Sequence, residues 1–131
     1  MATTGLTNID VAGITTESGP FPSATRAGDL VFVSGMVARD ENKTLVGEND
    51  VYAQTVQTLE NLQRVLAAYG LGLDAVATTT VYITDAAMAG EYNRAWVDTF
   101  GTHRPSRATV VAPLLAPEIL VEVQATAWAG N

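Results

Sequence analysis

The sequence predicts an α+β domain, a β-sheet with two helices packed on one face. Three observations carry this expectation. Two segments, Val51 to about Tyr69 and Ala86 to Phe100, repeat apolar residues three or four positions apart, the helical period. Runs at 24–27, 30–35, 75–84, 107–113 and 119–127 are rich in β-branched residues and read as strands. The resulting order is hairpin, helix, strand, helix, strand, strand. Consecutive crossovers of one hand return to the same side, so both helices share a face. The other face is then uncovered by this chain. Its Thr, Ser, Gln and Glu residues are only semi-polar, which predicts a subunit interface there.

Leu6 to Val11 reads as a short edge strand, and Gly19-Pro20 as a turn. Gly28-Asp29 between two strand-like runs predicts a β-hairpin. Its second run, Leu30 to Gly35, is apolar on both faces until Ser34, as in a central strand covered on both sides. Residues 38–48 are polar and read as a loop. Asn49 or Asp50 can cap the first helix, whose stripe is Val56, Leu59, Leu62, Leu66 and Tyr69, and Gly70 supplies its stop. In the strand at 75–84, Ala77, Thr79, Val81 and Ile83 share one face. Thr84 or Asp85 caps the second helix, whose buried face is Met88, Tyr92, Trp96 and Phe100, and Gly101 ends it. The last two strands have a short connector and could pair as a hairpin; the residues alone leave that open.

At 131 residues the chain is expected to form one domain over 1–131. Its 47% apolar and 16% charged content is that of a globular protein. Fourteen acids against seven bases give a net charge of −7. That sign repels phosphate backbones, so no nucleic-acid partner is expected. Cysteine is absent, which excludes disulfides, thiolate nucleophiles and thiolate metal sites. Residues 1–13 carry no basic residue and no long apolar run, so no signal peptide and no membrane partner are expected, and a cytoplasmic location follows.

Two charges do not fit their strands. Arg107 opens the run after Arg104-Pro105-Ser106, and Glu122 sits between Val121 and Val123. A charge near a core is costly unless it is paired or hydrogen-bonded, so two of opposite sign are the strongest functional signal in the chain. A guanidinium matches a carboxylate bidentately. A partly desolvated carboxylate gains a pKa useful for proton transfer. The plainer alternative is a structural ion pair.

A set of segments in order resembles a known family: Gly19-Pro20-Phe21, Arg26 to Gly35, Gln54-Thr55, Leu59 to Leu62, Thr80 to Asp85, Tyr92-Asn93, Pro105-Ser106-Arg107 and Val121-Glu122-Val123. Together they resemble the RidA/YjgF family of enamine/imine deaminases, also called endoribonuclease L-PSP, from about Gly19 to Ala127. The resemblance implies a chorismate-mutase-like mixed sheet with two helices on one face, assembled as a homotrimer with its sheets inward. It also implies that the strand at 75–84 lies between the last two, against the hairpin. Active sites are then clefts between subunits, and the reaction is hydrolysis of small 2-imino or enamino acids to 2-keto acids and ammonia, with no cofactor and no metal.

By the same resemblance Arg107 grips the substrate carboxylate and Glu122 positions the attacking water. Phe21, Ser34, Gly35, Asn93 and Thr109 line the substrate site. Ser34 offers a hydroxyl, Gly35 permits close backbone approach, and Asn93 lies off the buried stripe of its helix. The chain departs from the family pattern where Phe21 replaces a tyrosine, Met36 a glutamine and Thr109 a cysteine, and the loop 113–118 lacks a Leu-Pro pair. Two alternatives follow: a divergent hydrolase or tailoring enzyme acting on a bulkier substrate, or a non-catalytic carboxylate-binding regulatory trimer. His103, the only histidine, has no counterpart, and Asp85 is most simply a helix cap.

Overall fold

The computed structural model describes residues 5–130. Its strands are β1 (Leu6–Ile9), β2 (Ala24–Ala27), β3 (Leu30–Met36), β4 (Val76–Ile83), β5 (Ser106–Val111) and β6 (Val121–Trp128). Helix α1 (Val51–Ala67) follows β3, and α2 (Ala89–Phe100) follows β4. One six-stranded sheet runs in the order β1-β2-β3-β6-β4-β5. All neighbours are antiparallel except β4 and β5, which are parallel. The mixed α+β fold expected from the sequence is therefore present. Strand β4 separates β5 from β6, so the hairpin of the last two strands does not form. Among the described residues no helix is long and apolar enough to cross a membrane.

Both helices cover one sheet face. Leu59, Leu62, Val65 and Leu66 of α1 and Tyr92, Trp96 and Phe100 of α2 pack on Val31, Val33, Val81, Val121 and Val123. Asp50, not Asn49, caps α1 by accepting from the Ala53 N–H at 3.0 Å. Gly70 adopts φ 73° just past the helix, where a side chain would be strained. Asp85 caps as expected, but residues 86–88 form a 3₁₀ turn and α2 proper starts at Ala89.

Two faces differ from the periodic reading. Val56 is exposed, and its place on the buried side of α1 is taken by Gln54, Thr55, Thr58 and Asn61. These polar residues face inward because most find partners there. Asn61 Nδ2 donates to the Val37 and Arg39 carbonyls at 2.8 and 2.7 Å. In β4 a register shift between Val76 and Thr78 turns Ala77 outward and buries Val76 in its place.

The opposite sheet face is open within the chain. Leu30 and Phe32 on β3, Val110 on β5 and Trp128 on β6 are all at least 40% exposed there, among Thr25, Thr80, Gln124 and Thr126. Strand β3 is thus covered on one side only, and the open face is more apolar than its threonines led one to expect. A register shift between Val33 and Met36 places Ser34 and Gly35 in an irregular segment of β3 beside β6.

Candidate active site

The two charged residues lie on opposite faces of the sheet. Glu122 is paired with Tyr82 across β6 and β4, on the open face. Arg107 is in register with Thr79, whose side chain is buried on the helix side. Within one chain, therefore, Arg107 and Glu122 do not form an ion pair. The ion pairs among the described residues are Arg39–Glu118 and Arg94–Glu91.

The arginine side is built by α2 and β5. The Arg107 guanidinium carbon sits 4.7 Å from the Tyr92 ring centroid and 5.0 Å from that of Trp96. An aromatic face attracts a cation at this range and holds its plane. Arg107 Nη2 donates to Asn93 Oδ1 at 2.7 Å, and the rest of the fork has no partner among the described residues. Thr109 points to the same side, its hydroxyl 3.0 Å from that of Tyr92, and so braces the ring beneath Arg107. Burial raises the Tyr92 pKa, so the phenol stays neutral here. A cleft of about 380 Å³ opens beside Arg107, walled by Asn93, Trp96, His103 and Pro105. His103 Nε2 lies 2.7 Å from the Val76 carbonyl and ties the loop to the start of β4.

The glutamate side is built by β3, β6 and two loops. Glu122, Phe21, Ser34 and Gly35 line one cleft of about 480 Å³, together with Val37, Arg39 and the loop from Leu114 to Ile119. Ser34 donates its hydroxyl to the Pro22 carbonyl at 2.7 Å, which ties β3 to the segment carrying Phe21. Glu122 packs directly on Gly35: a Cβ there would collide with carboxylate oxygen Oε2 and come within 3.0 Å of the carboxyl carbon. Gly35→Ala is therefore expected to displace the carboxylate from its place in the cleft. A crystal structure of the variant with Glu122 unmoved would show that Gly35 sets no limit on the carboxylate position.

Glu122 accepts no hydrogen bond from any described residue, and its pKa is raised by desolvation. Below the unfolded carboxyl's pKa both states are protonated and no cost arises. As pH rises through the folded value, the charge must be held in the cleft and stability falls. Glu122→Gln removes that cost. It is expected to melt above the parent at about pH 8 and level with it near about pH 3. Thermal scans at the two pH values check this; an equal or lower melting temperature at the higher pH would count against it.

The structure thus gathers Phe21, Ser34, Gly35 and Glu122 in one place and Asn93, Arg107 and Thr109 in another. The apolar period places Tyr92 and Trp96 in the core without showing that they seat Arg107, and nothing in the sequence marks Arg39; the loop 113–118, a departure from the family pattern, supplies the apolar wall. Which helix face meets Arg107 depends on the β4–β5 register, which has no local sequence signal.

The description "Endoribonuclease L-PSP" belongs to the family model that matches residues 14–129. The 3-aminoacrylate deaminase RutC of Acinetobacter baylyi is 32% identical over 108 residues, 82% of this chain and 86% of that protein. YyfA of Yersinia pestis, a protein of unknown function of the conserved Rid family, is 30% identical with a TM-score of 0.85, over 94% of this chain and 98% of that one. TdcF of E. coli, solved with bound serine, is 25% identical with a TM-score of 0.84, over 95% and 99%. Sequence, sheet order and these matches agree that the chain belongs to the RidA/YjgF, or endoribonuclease L-PSP, family.

Proposed function

We propose that this chain hydrolyses 2-imino and 2-enamino acids to 2-keto acids and ammonia, without a cofactor, at clefts between copies of itself in a homotrimer. The observation that carries the reading is the divided site. Arg107 keeps unpaired donors on one face, and Glu122 keeps an unpaired carboxylate on the other, each at a cleft. A second copy docked on the open face would set one chain's arginine against the next chain's glutamate. Leu30, Phe32, Val110 and Trp128 offer the apolar area for that contact. RutC is named for deaminating 3-aminoacrylate, a 3-enamino acid, and TdcF holds serine; both support a small carboxylate bearing nitrogen as the ligand here.

The chemistry asks mainly for position. Arg107 takes the substrate carboxylate in its fork, steadied by Asn93 and the two rings. Water held by Glu122 adds to C2 of the protonated imine, and Glu122 takes a proton from it. Glu122 returns that proton to nitrogen; as the C–N bond breaks, Glu122 takes the remaining hydroxyl proton, so that the keto acid forms and ammonia leaves, to be protonated in turn to ammonium. A carboxylate whose pKa is raised suits both steps. An enamino acid first takes a proton at C3 to give the imine.

The test generates 2-iminopropanoate and larger imino acids with an amino-acid oxidase and follows ammonia release. No acceleration over buffer for any of them would end the reading. Glu122→Gln should still bind pyruvate while turnover drops about 10²–10⁴-fold; binding by the parent without turnover would instead make the trimer a sensor. The net charge of −7 offers no footprint for RNA, in spite of the family description.

A further inference from the structure

Beside Glu122 the cleft has few polar groups left to offer. Ser34 has spent its hydroxyl hydrogen on Pro22, and Arg39 is paired with Glu118 at 2.9 Å. The remaining wall is Phe21, Val37, Leu114, Leu115, Ala116 and Ile119. Phe21 is 55% exposed and Leu115 fully exposed, both at this cleft. Large apolar side chains bordering a single carboxylate are arranged to desolvate something apolar next to it. The cleft's volume of about 480 Å³ lies within the range of about 300–1,000 Å³ typical of sites for sizeable ligands. A three-carbon imino acid, once anchored by its carboxylate, would leave this wall wet.

We infer that the wall formed by Phe21, Leu114 and Leu115 is a side-chain subsite, and that the substrate is a 2-imino acid with a branched aliphatic or similarly large apolar group. This rests on the deaminase reading, which assigns Glu122 to the reacting carbon. The substrate's C3 substituent then extends from Glu122 along the apolar wall while its carboxylate meets the arginine of another copy. Each methylene seated in an apolar pocket raises kcat/KM about 10-fold or more.

The experiment compares the imino acids derived from leucine and alanine, each made in situ by an oxidase. It also compares binding of the matching keto acids, 4-methyl-2-oxopentanoate and pyruvate, by calorimetry. Expected is at least about a 10-fold preference for the larger compound in both, with Leu115→Ser lowering that ratio about 10-fold. Hydrolysis of the alanine-derived imine with no preference for the larger one overturns the subsite. Hydrolysis of neither overturns the deaminase reading, and the keto-acid ratio then decides the subsite by itself. If Leu115→Ser changes the oligomeric state by light scattering and leaves both ratios as they were, Leu115 is a subunit contact and the assignment falls.

Discussion

Arg107→Ala is expected to lower kcat/KM for 2-imino acids about 10²–10³-fold and to weaken keto-acid binding to a similar degree. Removing a charged, two-pronged donor from a carboxylate leaves that anion unpaired, a loss of about 2–5 kcal/mol. The fold should survive, because Arg107 is exposed and the one hydrogen bond of its side chain among the described residues is to Asn93. Arg107→Lys keeps the charge but not the planar fork on Tyr92 and Trp96, so it should recover only part of the activity. Circular dichroism and light scattering on the same samples separate loss of binding from loss of structure. Wild-type kinetics in Arg107→Ala would remove Arg107 from the site altogether.

Gln54→Ala is expected to give the largest loss of stability, about 3–5 kcal/mol, with a fall in melting temperature of about 10–20 °C. Gln54 is fully buried in α1 and satisfies three backbone groups. Its Nε2 donates to the Gly47 and Glu118 carbonyls, each at 3.0 Å, and its Oε1 accepts from the Leu120 N–H at 2.8 Å. The substitution leaves those groups unpaired and a void behind them. It also frees the loop before β6 that walls the Glu122 cleft, so activity should fall at temperatures where the variant is still folded. A drop of less than about 3 °C would mean that water replaces the amide without cost.

The elements themselves were largely legible. Helix α2 announced itself through Tyr92, Trp96 and Phe100 and ends at Gly101 as read, while Asp85 caps the 3₁₀ turn leading into it and Gly70 lies beyond the Ala68 cap of α1. Periodicity failed where polar side chains are buried for their partners. A count of apolar residues puts Val56 inward and cannot see that Gln54 and Asn61 each serve distant backbone groups. It failed again at β4, where a single register shift exchanged Ala77 for Val76. Arg107 and Glu122 were visible as misplaced charges. That they face opposite ways was not, since facing depends on pairing partners 28 and 40 residues away in sequence, Thr79 to Arg107 and Tyr82 to Glu122.

That opposition has a consequence for how the proposed activity would scale. On the proposal that the site forms between copies, a lone chain would own both halves without bringing them together, so dilution below the assembly's dissociation constant would extinguish turnover without unfolding anything. Specific activity would then rise steeply with protein concentration before levelling off. Abundance itself would act as the on-switch, and a cell could silence the reaction by making less of the protein, with no inhibitor required.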